Sequence, residues 1–216
     1  MHIAMTGLPN NLSPRKSPVQ QRSQITFDAI HIATIQVLAH EGLDKCTTTR
    51  VAERAGVSVG ALYQYYPHRS ALLAAALSRH LTTLTSTIER CCEQLKGAPL
   101  ERMVRELVDT FLAAKFRNKM EARALYAISV DHGGPLLIEE AGRRLDTAIA
   151  GMLTTEPENV IQNPAIAGTI IRITLSGFAR AVLTGNAPAE LEEHIGHQCM
   201  RLIYNYLSDN RMPSTP

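Results

Sequence analysis

Apolar residues recur along this chain every three to four positions, in stretches broken by glycine and proline. Phe27, Ile30, Ala33, Val37 and Leu38 mark one face of a helix over about 23–41, which Gly42 ends. Val51, Ala52 and Ala55 give a short helix over 48–55, and Leu62 and Tyr66 give another over 59–65. Leu72, Leu73, Ala76, Leu77, Leu81, Leu84 and Ile88 form the stripe of a long fourth helix, 68–95. Gly97 and Pro99 separate it from a fifth, 99–116, with Leu100, Met103, Val104, Leu107, Val108, Phe111 and Leu112 in register. Further helices are expected over 119–131, 136–153, from Asn163-Pro164 to Gly185, and from Pro188 to about Ser208. No run alternates with period two and no Asn-Gly hairpin occurs, so the chain is read as all-α.

The last two helices carry apolar residues on wide faces: Ile166, Ile170, Ile173, Phe178 and Val182, then Leu191, Ile195, Cys199, Leu202, Ile203 and Tyr206. A subunit core accounts for some of these. The sequence does not say which of Phe178, Val182, Leu202 and Tyr206 face a partner.

Composition narrows the class. Among 216 residues 45% are hydrophobic and 19% charged, as in a globular chain with a sizeable core. Trp is absent and aromatics make up 5%, so aliphatic packing between helices must build that core. The net charge is +2, unevenly spread. Residues 1–69 carry a net +3 and the remainder −1, and no Asp or Glu precedes Asp28. The four cysteines, Cys46, Cys91, Cys92 and Cys199, show no CxxC pair, so buried thiols are expected and not a zinc site. The opening residues have no apolar run of the signal-peptide kind. The most apolar later stretch is interrupted by Arg172 and Arg180, so no membrane span is expected and a cytoplasmic location is.

One stretch departs from plain amphipathic packing. In TTTRVAERAGVSVGALYQYYPHR, residues 47–69, Thr47 or Thr48 can cap a helix and Gly56 can end it in a left-handed turn. Val57 can fill the inside of that turn, and Ser58 can cap the next helix. Gly60 and Ala61 leave that helix's first turn open to close approach. With Leu62 and Tyr66 turned inward, Tyr63, Gln64 and Tyr65 face outward. Pro67 ends the helix, and Arg69 lies in the first turn of the next. Helix, turn and helix in this layout make a reader of the DNA major groove.

From about Ile25 to Leu81, and most densely over AERAGVSVGALYQYYPHRSALL, the sequence resembles the N-terminal domain of the tetracycline-repressor (TetR) family of transcriptional regulators. The resemblance implies an arm over 1–22, a DNA-binding domain over 23–67, and an effector-binding and dimerisation domain over 68–210. It implies contacts with double-stranded operator DNA by Thr48, Ser58, Val59, Gly60, Ala61, Tyr63, Gln64 and Tyr65, with Arg69 on phosphate. Lysine is frequent in the family where Val59 stands and usual where Arg69 stands, so Val59 is left with a thymine methyl as its contact. The resemblance also implies a homodimer through the last two long helices, and a small-molecule effector bound among the fourth to eighth helices.

Candidates for lining that effector site are Met103, Leu107, Phe111, Arg123, Tyr126, His132, Ile170, Thr174 and Phe178, with Arg172 as a further polar group. An activator, or a nucleoid-type regulator without an effector, is the alternative among DNA binders. A helical protein-interaction module is the alternative from another class. Enzymatic readings find little support. His194 and His197 lack further metal ligands, Ser129, Asp131 and His132 are only sequence neighbours, and no cofactor motif appears.

Overall fold

A computed structural model describes residues 21–126, 128–129, 133–158 and 161–209. Among them the chain forms α1 (Gln21–Glu41), α2 (Thr48–Ala55), α3 (Val59–Tyr65), α4 (Arg69–Gln94), α5 (Leu100–Phe116), α6 (Lys119–Tyr126), α7 (Gly134–Leu153), α8 (Pro164–Leu183) and α9 (Ala189–Asp209). The described residues divide into two compact units. One falls within Met1–Thr82 and Asn118–Glu140, the other within Thr83–Arg117 and Ala141–Pro216.

The first unit packs α1, α2, α3, the first half of α4, and α6 around Ile30, Val37, Leu38, Val51, Leu62, Tyr66, Leu72 and Leu73. Leu125, Ile128 and Leu137 join that core. An ion pair and a hydrogen bond fasten α1 and α6 to α4: Arg79 donates to Asp28 at 2.6 Å, and His80 Nδ1 lies 3.2 Å from Glu121 Oε1. The sixth helix stops at Tyr126, short of the expected 131. There the Ser129 amide and hydroxyl both turn back to the Tyr126 carbonyl, at 3.1 and 2.6 Å, and a side chain that satisfies a helix end locally competes with its continuation. Gly134 begins α7 two residues earlier than expected. A Cβ there would sit 2.3 Å from the Ile128 carbonyl oxygen, so this approach admits only glycine.

The second unit is built from the rest of α4, α5, most of α7, α8 and α9. Ile88, Leu95, Met103, Leu107, Phe111, Ile149, Leu175, Cys199 and Ile203 make its core. Two arginine–carboxylate forks tie α7 to its neighbours. Arg144 grips Glu89 of α4 at 2.8 and 2.6 Å, and Arg172 of α8 grips Asp146 at 2.5 and 3.2 Å. Gly142 leaves room for the Arg172 guanidinium, which would lie 3.4 Å from a Cβ at that position. Asn163 caps α8 as the Asn-Pro pair predicts, its side chain accepting from the Ile166 amide.

The α8 helix has the length and mean hydropathy, 1.4, of a membrane span, contrary to the sequence expectation. In the fold one face of it enters the second unit's core, with Ala167, Ile171, Leu175, Ala179 and Val182 buried, and Arg172 is paired.

Candidate nucleic-acid interface

The α2–α3 pair is fixed by side-chain caps at both helix starts. Of the two threonines able to cap α2, Thr47 does so, its hydroxyl accepting from the Arg50 amide at 3.3 Å. Gly56 ends α2 at φ 68°, and its amide and that of Val57 donate to the Ala52 and Glu53 carbonyls. Ser58 caps α3, accepting from the Ala61 amide at 3.0 Å, which leaves the hydroxyl proton available to donate outward. Leu62 and Tyr66 are buried as the spacing predicts, and Val57 packs against the same core.

Buried anchors on one side leave a defined set on the other. Ser58, Gly60, Tyr63 and Gln64 are exposed, while Val59 and Ala61 are half-buried. The glycine is informative. A Cβ at Gly60 would meet nothing closer than the Ser58 Oγ at 3.9 Å, and the residue is ordinary helix. Glycine inside a helix costs about 0.5–1 kcal/mol relative to alanine. The fold itself does not require glycine here.

The remaining candidates are tied into the scaffold. Thr48 is buried, and its hydroxyl lies 3.2 Å from that of Tyr63. Tyr65 is half-buried, its ring 6.4 Å from Phe27 and its hydroxyl 3.0 Å from Ser23 Oγ. Arg69 donates from Nε to the Cys46 carbonyl at 2.8 Å and from Nη2 to the Leu43 carbonyl, holding the loop between α1 and α2. His68 caps α4 by accepting the Ala71 amide at 3.2 Å. Sequence reasoning missed Ser23 as the anchor of Tyr65. A serine in the first turn of a helix gives no sign of a partner 42 residues away.

The nine effector candidates do not share one unit. Met103, Leu107 and Phe111 are fully buried in the second unit's core. Ile170 is exposed, Thr174 half-buried, and Phe178 lines a surface cleft of about 740 Å³ with Leu191, His194, Gln198 and Leu202. Arg123, exposed, and Tyr126, half-buried, belong to the first unit. His132 lies outside the described residues. Arg172 is committed to Asp146.

Lys115 escapes the stripe reading, although it continues the α5 face of Val108, Phe111 and Leu112 at helical spacing. Burial brings its ammonium down to about 8. In the first unit, burial and the nearby Arg79 lower His31 to about 4. Burial pushes the thiols up, Cys92 to about 12 and Cys46 and Cys199 to about 11, so they are poor nucleophiles.

Residues 30–76 match the family model of bacterial regulatory proteins, tetR family, and residues 99–207 match that of the tetracyclin repressor-like C-terminal domain. The HTH-type transcriptional repressor KstR of Rhodococcus jostii is 30% identical over 149 residues, 68% of either chain. The nucleoid occlusion factor SlmA of Glaesserella parasuis is 30% identical over 112 residues, and the chain spans 52% of that relative's length, about half. A TetR-family regulator from Mesorhizobium loti shares the fold at a TM-score of 0.71 and 15% identity, covering 89% of this chain and 100% of that one. SmeT, the repressor of the Stenotrophomonas maltophilia efflux pump SmeDEF, does so at 0.65 and 16%, covering 87% and 94%.

Proposed function

This chain belongs to the tetR family of bacterial regulatory proteins, a regulator and not an enzyme, and on that premise we propose that it is a cytoplasmic repressor of transcription. In this reading it binds a palindromic operator as a homodimer. Residues 23–67 read DNA, and 68–210 take up a small effector and dimerise.

The observation that carries the reading is the exposed face of α3, with a glycine in its first turn for which the fold has no need. An α-helix fits the major groove of B-DNA, and its first-turn residues reach the bases. Gln64 is the exposed amide able to pair with an adenine edge, and Val59 can touch a thymine methyl. Ser58, Gly60 and Ala61 bring the backbone close, and the Tyr63 hydroxyl, placed by Thr48, can reach phosphate. Tyr65 and Arg69 position this surface: one joins α3 to α1, the other fixes the loop before α2.

Two copies bind a palindrome more tightly than one because each recognition helix adds its affinity. The exposed Ile166, Ile170 and Ile173 on α8, and the apolar cleft at Phe178, Leu191 and Leu202, support α8 and α9 as the shared face. An effector releases operator DNA only if it binds the DNA-incompetent state better than the competent one.

The test is binding to the DNA upstream of the chain's own gene. Gly60→Val, at a position where a Cβ meets nothing closer than the Ser58 Oγ at 3.9 Å, is expected to keep its unfolding temperature and lose operator binding. Gln64→Ala is expected to change sequence preference, by about 1–3 kcal/mol at the base it reads. Full affinity in both variants excludes α3 as the reader. Ile173→Glu is expected to yield folded monomer in sedimentation and to abolish operator binding with it. The relatives named as nucleoid occlusion factors favour a second reading, DNA binding without an effector. A screen in which no compound both stabilises the protein and releases DNA selects it.

A further inference from the structure

Gln64 stands between two phenols, and each is held by a hydroxyl from another helix. Thr48 Oγ1 of α2 lies 3.2 Å from the Tyr63 hydroxyl, and Ser23 Oγ, in the first turn of α1, lies 3.0 Å from that of Tyr65. The second pair is also fixed by packing. The Phe27 ring stands 6.4 Å from the Tyr65 ring, tilted by 58°, and stacks on the buried Tyr66 at 5.8 Å. The Tyr65 phenol therefore leaves Ser23 only by displacing a packed ring. Ser23 and Tyr65 are both half-buried, so their hydroxyls meet at the rim of the protein, one residue from the exposed Gln64. Two facing hydroxyls use one proton between them and leave the other free to donate. Either oxygen of this pair could be the donor. A phosphate at the rim decides between the two arrangements, because its oxygens accept and cannot donate. A phenol is a more acidic hydroxyl than an aliphatic alcohol, so it is the stronger donor to an ionised acceptor. The chain then runs from the Ser23 hydroxyl to the Tyr65 oxygen, and from the Tyr65 hydroxyl to phosphate, each bond polarising the next.

We infer that Ser23 is a positioning residue for operator binding: its hydroxyl donates to Tyr65 and so aims the Tyr65 proton at a backbone phosphate beside the bases that α3 reads. The inference rests on the reading of α3 given above. A phosphate contact fixes the register of a reader and carries no sequence information itself. Ser23 then acts on affinity for every sequence, through Tyr65, and leaves the choice of base to Gln64 and its neighbours on α3.

The experiment measures how the full chain, Tyr65→Phe, Ser23→Ala, Ser23→Thr and the double variant Ser23→Ala/Tyr65→Phe bind the duplex from upstream of the chain's own gene. Tyr65→Phe keeps the ring against Phe27 and removes a bond to a charged acceptor, so Kd is expected to rise about 10- to 100-fold. Ser23→Ala is expected to raise it about 2- to 10-fold, and Ser23→Thr, which keeps the hydroxyl, to restore it. The double variant is expected to bind like Tyr65→Phe alone, because Ser23 acts only through the phenol. Duplexes with one neutral methylphosphonate at successive positions give a readout that a packing role does not move. At one position the neutral group is expected to weaken the unaltered chain and leave Tyr65→Phe unchanged. Full affinity in Ser23→Ala overturns the inference while α3 binding stands. A larger loss in Ser23→Ala than in Tyr65→Phe also overturns it, since the serine then holds the phosphate itself. So does a Ser23→Ala loss that persists in the double variant, or a methylphosphonate series that no longer separates the two proteins at any position. If the unaltered chain binds no DNA, the reading of α3 falls and takes this inference with it. Thermal unfolding of every variant above the assay temperature keeps the comparison between folded proteins.

Discussion

In the first unit most candidate DNA-contacting side chains stand on or beside α2 and α3, helices of 8 and 7 residues whose starts are fixed by the hydroxyls of Thr47 and Ser58. In the second unit the effector candidates lie on α5 and α8, of 17 and 20 residues, where Met103, Leu107 and Phe111 are sealed in the core while Ile170 is open to solvent. Short helices cannot stabilise themselves, so each needs a cap, a terminating residue and a few buried anchors, and those requirements leave marks in the sequence. Long amphipathic helices need only a stripe. A stripe reads the same whether it faces a core, a partner or a ligand.

The largest expected effect follows from that burial. Phe111 is 0% exposed, so Phe111→Ala should cost roughly 3–5 kcal/mol, seen as a large drop in the denaturant midpoint. Tyr63→Ala, on the exposed face of α3, should cost no more than about 1 kcal/mol, the hydrogen bond to Thr48, and weaken operator binding instead. If both changes act mainly on stability, the contrast between a buried stripe and a displayed surface is lost.

The same contrast explains what could be read from sequence. The bounds of α2 and α3 agree with the expected 48–55 and 59–65 to the residue, because Gly56, Ser58 and Pro67 each impose a local conformation. The Asn163-Pro164 start of α8 was legible for the same reason. What was not legible is pairing across distance. Arg172 reads as a polar group among apolar residues, suited to a ligand, and only the fold brings Asp146 and Gly142 to it. Tyr65 reads as exposed, and only the packing of α1 supplies Phe27 and Ser23.

Acid and alkali should also separate the two units. His31, faced by Arg79 and His80 against Asp28 and Glu121, is lowered to about 4. The unfolded chain then binds the extra proton below about 6.5, so stability falls as pH drops from 6.5 toward 4. Lys115 is lowered to about 8, so its charged form opposes folding at neutral pH, and stability rises as pH climbs from 8 toward 10.5. Each effect is on the order of 3 kcal/mol at full extent. Urea melts across pH should show His31→Gln flattening only the acid limb and Lys115→Met only the alkaline limb. A variant that moves the other limb breaks this assignment.

A smaller effect tests the caps. Gly56 sits at φ 68°, where a side chain costs about 1–2 kcal/mol, and Ser58→Ala removes a cap worth about 1 kcal/mol. Gly56→Ala and Ser58→Ala should therefore lower stability by these amounts, and Gly56→Ala should weaken operator binding on every sequence alike, since it loosens α3 without changing a side chain that faces DNA. A change in sequence preference in Gly56→Ala would count against that cap acting only as a support.

The smallest expected change in subunit stability concerns Gly177, the counterpart in the second unit of Gly60. It is exposed within α8, and a Cβ there would meet nothing within 4 Å. It falls in register with Ile166, Ile170 and Ile173, all exposed. Alanine at such a site should raise the stability of the isolated subunit by about 0.5–1 kcal/mol, because it restricts the unfolded chain and suits a helix. If α8 packs closely on its copy, a methyl group from each subunit meets the partner's backbone, and the dimer weakens while the subunit strengthens. Gly177→Leu should then leave a folded monomer. Sedimentation at several concentrations reads the dimer, and thermal unfolding in the dilute limit reads the subunit. Movement of the two quantities in opposite directions puts the partner at Gly177. Gains in both put the close contact elsewhere along α8 and α9.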